Sequence, residues 1–166
     1  MPRVLFVCAG NTCRSVLAEY LGRRFHGDAW TFESAGIAPG RSADASNAVH
    51  VLAHTFGVDA SAHQPRDVRQ VDVNRFDFVV VIEKDAAAVV RALGVPESKI
   101  QLWPIPDPWG GDLTEYETVA LELRKRLARL AVRRATRQLR RSTGERSRHS
   151  MCSLHGSRQE RNSRHG

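Results

Sequence analysis

The sequence predicts an α/β fold, a doubly wound four-stranded parallel sheet flanked by helices. Short apolar runs typical of strands alternate with segments of helical periodicity along most of the chain, a pattern that indicates a parallel sheet with right-handed crossovers. The strongest run, residues 76–82, is apolar at nearly every position, as expected of a central strand that is covered on both faces.

The first strand and the first helix enclose a short loop. The apolar run at residues 4–7 predicts a buried strand that ends at residues 9–11, where Ala-Gly-Asn favours a tight loop. From Val16 to Phe25, apolar residues recur at intervals of three and four, which predicts an amphipathic helix that ends at Gly27. The loop therefore leads directly into a helix N-terminus.

The later elements alternate in the same way. Three prolines exclude regular structure from a loop that contains Asp107. Strands are predicted at residues 30–34, 76–82 and 100–103, and helices at residues 45–56, at residues 86–93 and from residue 114 onward, where Val119, Leu123, Leu127 and Leu130 form an apolar stripe.

The positive charge of the chain is concentrated at its C-terminal end. Residues 1–123 contain 11 Lys and Arg against 16 Asp and Glu, whereas residues 124–166 contain 14 against 2, so the net charge of +7 comes from the second segment. A basic pI indicates a nucleic-acid or membrane partner only when the charge lies on the folded domain. Nucleic acid is therefore an unfavoured partner for the domain itself.

Composition also predicts where the folded domain ends. Apart from Met151, Cys152 and Leu154, the residues after 142 are polar, charged or glycine. Burial of three apolar side chains cannot offset the entropy lost in ordering this segment. We expect one domain over residues 1–141 and a basic, Ser/Arg-rich, disordered tail over residues 142–166. An alternative role for this tail is docking to nucleic acid or anionic lipid, although no aromatic residue follows Tyr116 to stack on bases.

The chain shows no membrane, disulfide or metal signature. No apolar stretch reaches the length of about 18 residues that a membrane span needs, and the first run is too short for a signal peptide. The cysteines Cys8, Cys13 and Cys152 match neither a disulfide framework nor a four-ligand zinc pattern. A cytoplasmic protein with no metal, cofactor or membrane partner is expected, and its cysteines indicate thiol chemistry.

Cys8 and Arg14 lie six positions apart, at the two ends of the first loop. In a loop of this length the backbone N–H groups can point inward, and with the helix N-terminus they form a binding site for a tetrahedral oxyanion. Arg14 can add a bidentate contact to two oxygens. The same positive field favours the thiolate of Cys8, which is the nucleophilic form.

These residues, with others downstream, resemble a known family. The match covers approximately residues 3–131 and includes a downstream Asp-Pro-aromatic segment. Cys8 to Ser15, Ala18-Glu19, Ser34-Ala35-Gly36, His63 and Asp107-Pro108-Trp109 resemble the low-molecular-weight protein-tyrosine phosphatases, including the related bacterial protein-arginine phosphatases.

The resemblance implies a metal-independent protein phosphatase. Cys8 is then the nucleophile that forms a cysteinyl-phosphate, Arg14 binds the phosphoryl group, and Asp107 is the general acid and later the base. Ser15 is implied to stabilise the departing sulfur. The resemblance further implies a phosphate-binding loop of Ala9, Gly10, Asn11, Thr12, Cys13 and Ser15, support of that loop by Ser34 and His63, and a substrate-pocket rim at Trp109.

The substrate remains open between several classes. Phosphotyrosine on a protein ranks first, but Gly110-Gly111 follows Trp109 where many tyrosine phosphatases place a second tyrosine. Thr12 resembles the arginine phosphatases, so phosphoarginine is the alternative. Arsenate reduction with an external thiol is a third possibility. Cys13 is either a resolving thiol for oxidised Cys8 or a small packing residue.

Overall fold

The computed structural model describes residues 1–130, and residues Met1–Leu127 form one compact unit. The four strands form a single sheet in the order β2-β1-β3-β4, and every neighbouring pair is parallel. The predicted fold class is thereby confirmed. The strands are β1 (Arg3–Cys8), β2 (Thr31–Gly36), β3 (Phe78–Val81) and β4 (Ile100–Leu102).

Helices connect the strands, as the periodicity predicts. Helix α1 begins at Arg14, directly after the first loop. Helix α2 is followed by the capping residue Gly57, whose positive φ of 63° suits glycine. The stripe residues Val119, Leu123 and Leu127 are buried, as predicted. The helices are α1 (Arg14–His26), α2 (Ser46–Phe56), α3 (Lys84–Ala92) and α4, which covers residues 113–130, with short 3₁₀ turns between several elements.

Strand β1 lies inside the sheet, between β2 and β3. Its residues 4–8 are buried because β2 and β3 pair with its two edges and helices cover the faces of the sheet. Cys8 is paired with Gly36, the last residue of β2, and Val7 is paired with Val81, the last residue of β3. The carboxyl ends of three parallel strands therefore meet beside Cys8.

Some strand boundaries in the structure differ from the predicted ones. Strand β2 continues to Gly36 because it pairs with β1 along its whole length. The third strand is shorter than residues 76–82, since Phe76 closes a 3₁₀ turn before the strand begins. Phe25 lies on the predicted apolar stripe of α1 but is 38% exposed, and the Arg124 guanidinium covers its ring at 4.5 Å.

The predicted domain end at residue 141 and the predicted tail over residues 142–166 lie outside the described residues. Within residues 1–130, no helix is long and apolar enough to span a bilayer.

Candidate active site

The loop between β1 and α1 has an unusual backbone that the neighbouring chain holds in place. Asn11 has a φ of 52°, a left-handed conformation that asparagine tolerates better than most residues. The segment after β2 runs beside the loop, and its Ala38 N–H donates to the Ala9 carbonyl oxygen at 3.0 Å. Gly36 permits this approach, because a Cβ there would lie 2.6 Å from the same carbonyl oxygen.

A series of hydrogen bonds connects the Cys8 sulfur to the protein interior. Cys8 Sγ lies 2.9 Å from Ser15 Oγ. The Asn11 side-chain amide donates to Ser15 Oγ at 3.0 Å and to Ser34 Oγ at 2.8 Å. The Ser34 hydroxyl in turn donates to the Glu19 carboxylate. Because Ser15 Oγ already accepts a hydrogen bond from Asn11, its own hydrogen is available to the sulfur.

Two further groups hold Asn11. His63 Nε2 lies 2.9 Å from the Asn11 carbonyl oxygen, and since a carbonyl only accepts, this ring nitrogen carries the hydrogen. The Arg66 backbone N–H donates to Asn11 Oδ1 at 3.1 Å. The predicted support residues Ser34 and His63 thus both contact Asn11, which is fully buried.

Arg14 links the loop to two distant segments. Its guanidinium donates to Asp107 Oδ2 at 2.8 Å, to Glu83 Oε2 at 3.3 Å and to the Ile105 carbonyl oxygen at 3.3 Å. The residue is 4% exposed, and within residues 1–130 its Nε has no hydrogen-bond partner. A buried donor without a partner is costly, so this N–H is suited to a bound oxyanion.

Cys8, Arg14 and Asp107 line one pocket of about 250 Å³. Trp109 lies at its rim with 59% of its surface exposed, and the Trp109 backbone N–H donates to Asp107 Oδ1 at 3.1 Å. The lining comprises predicted site residues, namely Cys8, Ala9, Gly10, Thr12, Cys13, Arg14, Asp107 and Trp109, together with Ala38, Gly40 and Asp44, which the sequence did not single out.

Cys13 is hydrogen-bonded to a residue of helix α4. Its sulfur lies 3.2 Å from the Tyr116 hydroxyl and 3.8 Å from Thr12 Oγ1. Burial raises the pKa of the Cys13 thiol, and burial together with the contact to Cys13 raises the pKa of the Tyr116 phenol. Both groups are therefore neutral at physiological pH. Cys8 and Cys13 are free thiols.

Sequence reasoning did not assign a role to several residues of this site. Glu19 could have been noticed from the sequence, since it is a charged residue among the apolar positions of α1. Burial raises the pKa of the Glu19 carboxyl, although Ser34 and Arg23 act in the opposite direction. Arg66, Glu83 and Tyr116 reach the loop only through the tertiary fold, and nothing in their local sequence indicates it.

A larger cavity of about 570 Å³ borders the same network at Glu19, Ser34 and His63, but its lining includes neither Cys8 nor Arg14. Among residues 1–130, no group of three or more His, Cys, Asp and Glu side chains is arranged to hold a metal ion.

The fold and the site define a class of protein, an α/β protein whose cysteine-containing loop joins the first strand to the first helix. Residues 3–144 match the family described as low molecular weight phosphotyrosine protein phosphatase, and the chain belongs to this family. The resemblance stated from the sequence is thereby confirmed.

Solved structures and relatives cover most of the chain. A low molecular weight protein tyrosine phosphatase from T. tengcongensis is 32% identical with a TM-score of 0.72, and the match covers 80% of this chain and 99% of that one. The YwlE arginine phosphatase from Geobacillus stearothermophilus is 28% identical with a TM-score of 0.70, over 84% and 97% of the two chains.

Arsenate reductases are also similar. One from Bacillus cereus is 31% identical over 130 residues, which covers 77% of this chain and 92% of the relative. One from Brevibacillus brevis is 32% identical over the same shares. The chain is therefore an enzyme of this phosphatase family, with relatives among tyrosine phosphatases, arginine phosphatases and arsenate reductases.

Proposed function

We propose that the protein is a metal-independent protein phosphatase that hydrolyses phosphotyrosine through a cysteinyl-phosphate on Cys8. The observation that supports this most directly is that one pocket of about 250 Å³ is lined by a cysteine thiol, a buried arginine and an aspartate. Those are a nucleophile, an oxyanion clamp and a proton donor, which together suffice for two-step phosphoryl transfer.

In the first step the Cys8 thiolate attacks phosphorus, and an S–P bond forms as the P–O bond to the substrate breaks. Arg14 and the loop amides bind the three non-bridging oxygens. Asp107 gives its proton to the departing oxygen. Phosphate oxygens compete with Asp107 for the Arg14 guanidinium, so substrate binding releases the carboxyl group from its 2.8 Å ion pair.

In the second step a water attacks phosphorus while Asp107 takes its proton, and the S–P bond breaks to release inorganic phosphate. The sulfur leaves as a thiolate, which the Ser15 hydroxyl stabilises across 2.9 Å. The Asn11 side-chain amide donates to the same Ser15 oxygen and so holds it in position. The hydrogen bonds around Asn11 therefore connect directly to the leaving sulfur.

Two features of the pocket bear on the substrate. Trp109 is exposed at the rim, where an indole can pack against the ring of phosphotyrosine. Thr12 lines the same pocket. Because a threonine at this position resembles the arginine phosphatases, phosphoarginine is the second candidate substrate. We rank phosphotyrosine first.

The experiment that tests the mechanism is metal-free hydrolysis of an aryl phosphate by the full chain. We expect turnover in wild type, its loss in Cys8→Ser, and unchanged turnover in Cys152→Ser, a cysteine of the predicted C-terminal tail. Asp107→Asn should lower kcat on the order of 10²- to 10⁴-fold, and more for a poor leaving group than for a good one. Turnover that survives Cys8→Ser would contradict the proposal.

Arsenate reduction is the competing activity, favoured by relatives that are 31–32% identical. A reductase that passes a disulfide along its own chain needs further cysteines, and none lies between Cys13 and Cys152. This chain would therefore need an external thiol as reductant. Arsenate-dependent thiol oxidation that exceeds phosphatase turnover would favour the reductase.

A further inference from the structure

Asp44 contributes a second carboxylate to the pocket, and the proposed two-step reaction does not use it. It belongs to the 3₁₀ turn Ser42–Ala45, and its side chain is 21% exposed. A Cβ added at Gly40 would lie 3.2 Å from Asp44 Oδ2 and 3.0 Å from Thr12 Cγ2. Asp44 and Thr12 therefore border the same part of the pocket wall.

The Arg41 guanidinium, which now binds Asp44, can be replaced by another cation while the Asp44 carboxylate stays in position. Arg41 donates to Asp44 through its backbone N–H at 2.8 Å and through its guanidinium at 3.1 Å. These bonds hold the pKa of Asp44 below its ordinary value, so the group is ionised at neutral pH. The Arg41 side chain is 84% exposed, and an exposed ion pair of this kind exchanges partners at little cost.

The pocket lining carries charges of both signs. Arg14, which is ion-paired with Asp107, attracts the phosphoryl group next to Cys8 together with the loop amides, whereas Asp44 lies near Gly40 and Thr12 and Trp109 is exposed. The Asp44 carboxylate disfavours a second anion beside it. It matches a guanidinium, which binds a carboxylate in a bidentate manner and also packs on an indole ring.

We infer that Asp44 is a specificity-determining residue that selects substrates with a guanidinium beside the phosphoryl group. This inference rests on the proposed phosphatase function. The guanidinium has two possible sources, the phosphorylated side chain of phosphoarginine itself or an arginine that flanks a phosphotyrosine. In either case the substrate cation takes the place of the Arg41 guanidinium on Asp44, while the Arg41 backbone N–H keeps the carboxylate in position.

The test compares kcat/KM for three peptides: phosphoarginine, phosphotyrosine flanked by arginine, and phosphotyrosine in a neutral sequence. Asp44→Asn keeps an acceptor for the Arg41 N–H and removes the charge. It should lower kcat/KM for a guanidinium peptide about fivefold relative to the neutral peptide. Arg41→Ala leaves Asp44 without its competing cation and should raise the same ratio about twofold.

The control is Asp59→Asn, an exposed aspartate that accepts the Ser61 N–H at 2.9 Å and does not line the pocket. It should not change the ratio. A loss confined to phosphoarginine identifies the substrate's own guanidinium, and a loss confined to the flanked phosphotyrosine identifies the neighbouring arginine. Equal effects of Asp44→Asn on all three peptides, or a lower ratio in Arg41→Ala, would overturn the inference.

The two proposals fail in different ways. If Cys8→Ser abolishes hydrolysis but the Asp44 variant treats all three peptides as wild type does, the phosphatase stands and the role of Asp44 is rejected. If wild type hydrolyses none of the peptides, both the proposed function and the inference are rejected.

Discussion

At the scale of single residues, Asn11 explains how the loop keeps its shape. Its side-chain N–H groups, its Oδ1 and its carbonyl oxygen are all hydrogen-bonded within the fold, to Ser15, Ser34, Arg66 and His63. A left-handed backbone carries a conformational cost, and these contacts offset it. The fold itself therefore organises the loop, as the proposed electrostatic stabilisation of a phosphoryl group requires.

Thr12 is the residue through which substrate choice can be tested directly. It is 6% exposed and lines the pocket, so a larger aliphatic side chain there changes the pocket shape. We expect Thr12→Ile to lower the ratio of phosphoarginine to phosphotyrosine turnover. The expected decrease is about tenfold, because one extra methylene in a pocket changes substrate discrimination by about this factor.

The measurement is kcat/KM for a peptide of each kind, with Thr118→Ile on the exposed side of α4 as the matched control. A ratio that stays the same or rises in Thr12→Ile would show that this threonine does not set the preference.

At the scale of elements, the candidate active site depends on β1 lying between β2 and β3. Parallel pairing brings the ends of these strands together, so that Cys8, Gly36 and Glu83, which follows β3 by two residues, approach one another from distant parts of the chain. The Arg14 guanidinium then joins α1 to Glu83 and Asp107.

Gly36 tests the contact between β2 and the loop. A Cβ at this position meets backbone atoms, at 2.6 Å from the Ala9 carbonyl oxygen and 2.9 Å from the Asn11 nitrogen, so no side chain can move aside to relieve the clash. We expect Gly36→Ala to displace the loop and to lower kcat on the order of 100-fold, because catalysis is sensitive to shifts of about 1 Å.

The measurement is aryl phosphate turnover together with the unfolding midpoint. Gly111→Ala is the comparison. Its Cβ first meets the flexible end of the Glu115 side chain, which can rotate away, and the nearest backbone atom, the Pro108 carbonyl oxygen, lies at 3.1 Å rather than 2.6 Å. Wild-type turnover in Gly36→Ala would contradict the close approach that the structure shows.

At the scale of the whole molecule, the buried Glu19 carboxyl makes stability depend on pH. Its pKa is raised in the folded state above the ordinary value of 4.5, chiefly by burial, so the folded state binds this proton more tightly than the unfolded state. The contribution of the proton is complete below pH 4.5 and is lost as the pH rises through the folded-state pKa. Glu19→Gln should remove this loss.

Urea unfolding from pH 4 to pH 7.5 measures the effect. The free energy of unfolding of Glu19→Gln, relative to wild type, should increase with pH. Glu97→Gln is the contrasting control, because the contact with Arg91 lowers the pKa of Glu97, and its relative stability should decrease over the same interval. Parallel curves for wild type and Glu19→Gln would contradict the raised pKa.

The C-terminal segment provides a second test at this scale. Residues 143–166 are predicted from composition to contribute nothing to the core, so a chain that ends at residue 142 should keep nearly full turnover of a small aryl phosphate. A chain that ends at residue 123 is the contrast, since it lacks the buried Leu127 and should be strongly destabilised. Loss of activity in the longer truncation product would show that the tail has a catalytic or structural role.

Local sequence was sufficient for the order of strands and helices and for the loop that contains Cys8 and Arg14. Apolar periodicity and glycine positions report on local structure, and Cys8 and Arg14 lie only six positions apart. Boundaries shifted where tertiary pairing extended or shortened an element, as with β2, which reaches Gly36 because β1 offers it partners along its full length.

The sequence by itself determined the fold class, the family and the first loop, because these depend on local residue patterns and on the order of motifs along the chain. Only the tertiary structure decided that Glu83 and Ile105 bind Arg14, that Tyr116 contacts Cys13, and that Asp44 shares a pocket with Thr12. These contacts join residues 32 to 103 positions apart, and parallel pairing and helix packing, rather than local propensity, bring such residues together.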